Sequence, residues 1–526
     1  MRENQKAELD LVTAIIRVSN DSAKGGITAV RFEKFLLDNY IATKEGQAVY
    51  RFFHELPRLI QNGDKDGKVI QFIDSLLYLP TAADSYYLSG FDIDEDSEEF
   101  DDNQSNSFTF GDFENYVHDS INDVMQSYKL QFRDMQCEIP DMSLSFYYDF
   151  PEYSFPYLYP EHFNIMQEIF EEFQIYMPQI PGRTQHQARC YYYIELCRVL
   201  YEFRMKYGLT PEELCVFLYG FGRKFVTFRI GDSLPDPNKA WITGAGEGDS
   251  IDTLPNLTSD SIQIWMGRAD MRTGDVVFVY ERSPFKKIQH VMRMVSEFYD
   301  DPFHYYSGKI WLGQAQKIPA ITFGELKNNA VMSQNGLVRA HMQGVGKGPN
   351  LQAKEYEAML DVLRSKGFDI TRLPQLMAHS LPTQLDINNE QDVEQQLLEP
   401  FLTQLGLTGK QITRQMPLRM GRGIRYYPDY VINAKTKRGE ERGAFVWEAK
   451  YRIVNTAHML DALYQAKSYA LRLSSNGLGL ASYEGIWLSL AQDKFSPERI
   501  QHFSWQDLTN VDTFARVSSL LIKTFG

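Results

Sequence analysis

Two apolar runs in the last quarter of this chain do most to limit its fold. Residues 427–432 read Tyr-Pro-Asp-Tyr-Val-Ile, and residues 445–450 read Phe-Val-Trp-Glu-Ala-Lys. Both have the β-branched and aromatic content of strands, and the polar stretch from Lys435 to Arg442 between them predicts a hairpin. Side chains alternate along a strand, so Glu448 and Lys450 share one face while Trp447 and Ala449 take the other. Hairpin pairing then brings Asp429 near the Glu448–Lys450 couple.

Two carboxylates and a lysine at one strand surface can hold a hard divalent cation and activate a water against a phosphodiester. A plainer alternative is a surface hairpin with a salt-bridged Glu and Lys. The pattern resembles the PD-(D/E)xK nucleases, with Pro428-Asp429 and Glu448-Ala449-Lys450 at the motif positions. Upstream, residues 388–402 form an amphipathic pattern whose buried stripe is Val393, Leu397, Leu398 and Phe401. Glu394 lies on or beside that stripe, where an acid needs a partner or a metal. The resemblance implies a first-helix glutamate at the metal site; Glu394 fits it, with Glu390 one turn earlier as the alternative. Downstream, Gln465 and Tyr469 stand four apart on a second helix, matching the Gln-x-x-x-Tyr that many of these nucleases carry after the Glu-x-Lys strand. With the strand 485–490 the order is helix–strand–strand–helix–strand, an α/β core. The resemblance thus implies Mg²⁺ or Mn²⁺ on Glu394, Asp429 and Glu448. Its catalytic set adds Lys450 and Gln465, with Lys450 positioning or deprotonating the attacking water or stabilising the phosphorane.

At 526 residues the chain exceeds one core, and two to four domains are expected. The four cysteines, Cys137, Cys190, Cys197 and Cys215, form no Cys-x-x-Cys, which argues against zinc and a disulfide framework. Neither a membrane-spanning apolar stretch nor a signal-peptide pattern is evident, so a cytoplasmic setting is expected. A net charge of −15 argues against a protein that coats nucleic acid over its whole surface. The charge is uneven, however. Residues 91–120 hold many acids and no Lys or Arg, whereas Arg414, Arg419, Arg422, Arg425, Lys435, Lys437, Arg438 and Arg452 gather around the hairpin. Arg422 and Arg425, just before Asp429, are candidate phosphate contacts; a solvated basic turn is the alternative.

Residues 1–225 read as mainly helical, with an acidic, mobile loop expected near 92–106. Their many tyrosines could stack bases, but aromatic residues in a helical region mostly serve as core. Thr210-Pro211-Glu212-Glu213 marks a helix start with a capping box. Residues 235–365 carry more strand signals: Trp241 in an opening strand, Trp265-Met266-Gly267, Gly274-Asp275 before a strand ending at Tyr280, and Val295-Ser-Glu-Phe-Tyr-Asp-Asp-Pro302. In order, these resemble the EVE branch of PUA-like barrels, which accept a flipped and often modified base in an aromatic pocket. By position the resemblance places Trp241, Trp265, Tyr280 and Ser283 around that pocket, with Tyr305, Tyr306 and Trp311 as looser candidates. The sequence departs from the EVE opening at Gly244–Gly248, which leaves the accepted base open. The glycine-rich stretch 338–349 lacks Gly-Lys-Ser/Thr and reads as a flexible loop rather than a P-loop.

The expected fold is therefore multidomain α+β: a helical N-terminal region, a PUA-like (EVE) β-barrel at 235–365, and an α/β PD-(D/E)xK nuclease core at 380–526. A modified-base reader fused to a nuclease is what a modification-dependent restriction endonuclease in antiviral defence requires. DNA would be the partner, and cutting both strands with one site per chain implies a homodimer. An RNA-cleaving toxin and a non-cleaving reader remain alternatives.

Overall fold

The computed structural model describes residues 32–62, 68, 71, 108–159, 162–225, 234–304, 308–382, 385–407, 409, 411–419, 425–436, 439 and 441–525. The expected acidic loop at 92–106, together with Tyr305, Tyr306 and Arg422, lies outside them. The fold is mixed α and β, and among the described residues no helix is long and apolar enough to cross a membrane. The chain divides into two compact units. One comprises Met1–Phe228 with Ser261–Met266 and Tyr299–Lys309; the other comprises Arg229–Asp260, Gly267–Phe298 and Ile310–Gly526.

The first unit is dominated by helices, among them Lys44–Gln61, Phe110–Tyr128 and His186–Tyr207. Their ends follow local chemistry. Thr109 and Asp112 form a capping box, Gly208 ends the longest helix at φ +60°, and Thr210, Pro211 and Glu213 start the next as the sequence predicts. Many of the tyrosines are core, although Tyr116, Tyr128 and Tyr176 are exposed. Tyr159, Tyr192 and Tyr193 are buried, and their hydroxyls donate to the carbonyls of Leu218, Pro178 and Phe155 at 2.6, 2.8 and 2.6 Å. Rings with satisfied hydroxyls in the interior have no face to offer a base.

In the second unit, β1 (Ala240–Ala245), β2 (Val276–Glu281), β3 (Lys287–Met294) and β4 (Gly308–Thr322, in this unit from Ile310) bond in that order. β1 and β2 run parallel; β2, β3 and β4 are antiparallel neighbours. A barrel requires its first strand to bond to its last. Among the described residues β1 bonds only to β2, apart from an isolated bridge from Ala240 to Leu351, so no closed barrel forms. One face of the open sheet is covered by helices instead: Leu326, Leu337, Tyr356, Met359 and Leu363 pack on Ile242, Phe278, Ile288 and Val291. The glycine-rich stretch belongs to this cover, because Met342 and Val345 are buried in it; it is a packed turn, not a loose loop.

The C-terminal sheet of this unit contains β5 (Ile412–Arg414), β6 (Tyr430–Ile432), β7 (Phe445–Ala449), β8 (Gly477–Ser482), β9 (Gly485–Leu490) and β10 (Gln501–Phe503). They bond in the order β10-β9-β8-β7-β6-β5. The predicted hairpin is β6–β7, with Tyr430 opposite Trp447 and Ile432 opposite Phe445. β7 and β8 run parallel, joined by the helix α2 (Thr456–Arg472). Period-two alternation gives two apolar faces. Phe445 and Trp447 pack beneath α1 (residues 390–404) and α3 (Val511–Phe525). Val431, Val446 and Leu480 pack beneath Leu463, Ala466 and Tyr469 of α2. β8 lies flat against Trp447: a Cβ at Gly479 would stand 2.4 Å from the Trp447 ring. Gly479→Ala should therefore cost about 1–3 kcal/mol through overpacking, read as a lower urea midpoint with an unchanged slope.

Candidate active site

The β6–β7 pairing brings Asp429, just before β6, to Glu448 of β7, on the α2 side of the sheet. Asp429 Oδ2 accepts the Ala449 N–H at 2.7 Å, which fixes the carboxylate across the hairpin. Glu448 Oε1 accepts from the Lys450 ammonium at 2.8 Å and from the Gln465 amide of α2. The same amide donates to the Tyr469 hydroxyl at 3.2 Å, so one helix face holds both partners four residues apart. Asp429, Glu448, Lys450 and Gln465 are thus brought together.

This cluster is electrostatically uncomfortable by itself. The Glu448 side chain is only 3% exposed, and its Oε2 is buried with no hydrogen-bond partner. Burial, and then the neighbouring Asp429 charge, push the Glu448 carboxyl up to about 7. Asp429 rises to about 6, mainly through burial and, against the Ala449 hydrogen bond, through the charges of Glu394 and Glu390. Burial works against the Lys450 ammonium, but Glu448, Glu390 and Asp429 outweigh it and raise its pKa. A buried carboxylate oxygen with no donor, next to a second carboxylate, is the hard-oxygen donor set that suits a divalent cation. The residues fit Mg²⁺ or Mn²⁺ in that sense. Among the described residues, no group of three or more His, Cys, Asp or Glu side chains forms a ready metal cage.

The two candidates for the third carboxylate part company. Glu390 reaches Lys450, at 3.6 Å. Glu394 accepts from the Tyr430 hydroxyl at 2.9 Å and from Arg414 at 3.4 Å. Glu399 joins them, 2.7 Å from Tyr430 and 2.9 Å from Arg414, whose guanidinium lies over the Tyr430 ring. Tyr430, directly after Asp429, points to the α1 side, so Glu394 is engaged there and reaches Asp429 only through its charge. A π-helical turn at Glu394–Leu398 interrupts α1 and shifts what its later residues face. The Tyr430–Glu394–Glu399–Arg414 network had no signal in the sequence, since Tyr430 reads as an ordinary strand residue.

The other candidates lie on separate elements. Arg425 is exposed on a two-residue strand, Arg425–Tyr426, paired with Leu418–Arg419. Trp241 is 3% exposed, and its indole N–H donates to the fully buried Asp275 at 2.8 Å. Lys239 and Arg268 lie over the Trp241 ring at 5.7 and 5.6 Å. Tyr280 is buried in the core beneath the helices, and Ser283 is exposed in the β2–β3 turn. Trp265 is buried and belongs to the first unit, on the strand Gln263–Met266. Trp311 is fully buried.

No protein family and no characterised protein matches the chain. Among solved structures it is similar to the NMR structure of Rpa0253 from Rhodopseudomonas palustris, a Northeast structural genomics consortium target. The two are 16% identical over 24% of this chain and 94% of that one, with a TM-score of 0.21. A likeness of that size carries no argument about fold or function.

Proposed function

We propose that this protein is a metal-dependent endonuclease of the PD-(D/E)xK kind that hydrolyses DNA phosphodiesters. The observation that carries the proposal is the Asp429–Glu448–Lys450–Gln465 cluster, with its buried, partnerless Glu448 Oε2. Asp429 and Glu448 would hold Mg²⁺ or Mn²⁺; Glu390, at Lys450, is the candidate for a third carboxylate, since Glu394 is engaged by Tyr430 and Arg414. Such an ion supplies Lewis acidity towards a phosphate oxygen and makes a bound water more acidic.

The chain's own groups have separable tasks. Gln465 and the Ala449 N–H hold the two carboxylates in place. Lys450, whose pKa the flanking acids raise, would serve as a donor to water or to the negative charge that builds up on phosphate.

Residues 235–365 supply the modified-base reader in this proposal, on the strength of the order of their EVE-like motifs; the open sheet does not add to it. Type IV-like restriction of phage DNA is the resulting role, with two copies needed to cut both strands. The test is Mg²⁺-dependent cleavage of phage DNA carrying hydroxymethylated or glucosylated cytosine, beside unmodified DNA and RNA, by wild type and by Glu448→Ala. Cutting confined to modified DNA and absent in the variant is expected. Cutting of RNA alone would replace the proposal with an RNase, and no cutting of any substrate would sink it.

A further inference from the structure

Among the described residues of 385–525, the exposed large aromatic side chains are five tyrosines: Tyr426, Tyr427, Tyr451, Tyr464 and Tyr483. Three of them adjoin residues of the cluster in the chain. Tyr427 lies two residues before Asp429, Tyr451 directly follows Lys450, and Tyr464 directly precedes Gln465. The Tyr426 ring stands 6.2 Å from that of Tyr469, which accepts from Gln465. The Tyr483 N–H donates to the Tyr451 carbonyl at 3.3 Å, just beyond the ends of β7 and β8. Single exposed aromatics are ordinary, but each of these five adjoins a residue of the cluster in the chain or through one contact, and all are 41–56% exposed. The ends of parallel strands are also where open α/β sheets bind ligands.

Taking the nuclease proposal as premise, we infer that this end of the sheet engages an unpaired DNA strand whose bases stack on these tyrosines. Bases in a duplex already cover each other's faces and have nothing to offer an exposed ring, whereas a splayed strand does. Charge complements the aromatic faces. Arg425 is exposed beside Tyr426, where it can meet backbone phosphates, while the Arg452 guanidinium, ion-paired with Glu484 at 2.9 Å, lies 4.8 Å from the Tyr483 ring centroid. The hydroxyls are incidental to stacking; the rings are required.

Binding of a fluorescent single-stranded DNA oligonucleotide and of its duplex, measured by anisotropy in EDTA on the full chain, tests the inference without any cleavage. The single strand should bind about tenfold or more tighter than the duplex. Tyr427→Ala and Tyr451→Ala should each weaken it by about 5- to 50-fold, while Tyr427→Phe and Tyr451→Phe bind like wild type. Equal affinity for both forms, or alanine variants that are folded by circular dichroism and bind like wild type, would overturn the inference. So would self-association that the same alanine substitutions abolish without any single-strand preference, since the patch would then be a dimer face. Single-strand preference in a protein that cuts no substrate with Mg²⁺ would uphold the surface and refute the nuclease proposal instead.

Discussion

Glu448→Gln is expected to abolish Mg²⁺-dependent cleavage and, at the same time, to stabilise the metal-free protein at pH 8. The loss of activity should be about a thousandfold or more, because several kcal/mol of charge stabilisation is at stake and each 1.36 kcal/mol is tenfold. The gain in stability follows from proton linkage. The folded Glu448 carboxyl titrates near 7 against an ordinary 4.5, raised by burial and by Asp429. Below the ordinary value both folded and unfolded states are protonated, and nothing is lost. As pH rises from there through about 7, the unfolded chain ionises first, so wild type loses stability, on the order of 3 kcal/mol by pH 8. Glutamine keeps the neutral form at every pH and escapes that loss. Melting curves at pH 5 and pH 8 should show the variant gaining on wild type at pH 8 and gaining much less at pH 5. Saturating Mg²⁺ should raise the melting temperature of wild type at pH 8 and leave that of the variant nearly unmoved. Equal melting of the two proteins at pH 8 would show that Glu448 carries no buried-charge penalty.

Trp241→Ala should destabilise the second unit by about 3–5 kcal/mol, the range for truncating a buried aromatic ring. The ring is 3% exposed, and its N–H is the donor to Asp275, a carboxylate that is fully buried. Asp275 Oδ1 already has no hydrogen-bond partner, and burial raises its pKa despite Lys239 and Arg272. Removing the indole would leave that carboxylate with one donor fewer in a dry setting. Trp241→Phe, which keeps most of the bulk but no donor, should cost about 1–3 kcal/mol. Urea denaturation separates this from a base-stacking role. If Trp241→Ala instead unfolds with wild type and loses only its discrimination between modified and unmodified DNA, the ring is a platform and not a support.

These two tryptophan and glutamate positions show where sequence reasoning reaches and where it stops. Alternation alone puts Glu448 and Lys450 on one face of β7, and the spacing of Gln465 and Tyr469 alone puts them on one face of α2. Both are consequences of backbone geometry within a single element, and the structure has them so. The hairpin, too, was legible, because its two runs are separated only by a polar turn. Trp241 was legible as a strand residue, but its commitment to Asp275, 34 residues away, was not.

What this sequence determined by itself is therefore local: strand and helix periods, the capping box at Thr210, and which side chains of one element point the same way. Those follow from dihedral preference and hydrogen bonding over a few residues. Tertiary structure alone decided that β8 inserts beside β7, that the sheet at β1 stays open under helices, and that Glu394 turns to Tyr430 and Arg414 while Glu390 meets Lys450. Each of these depends on burial shared between segments distant in the chain. A one-residue change in helix register, such as the π-helical turn at 394–398, is enough to redirect a side chain with no mark in the local pattern.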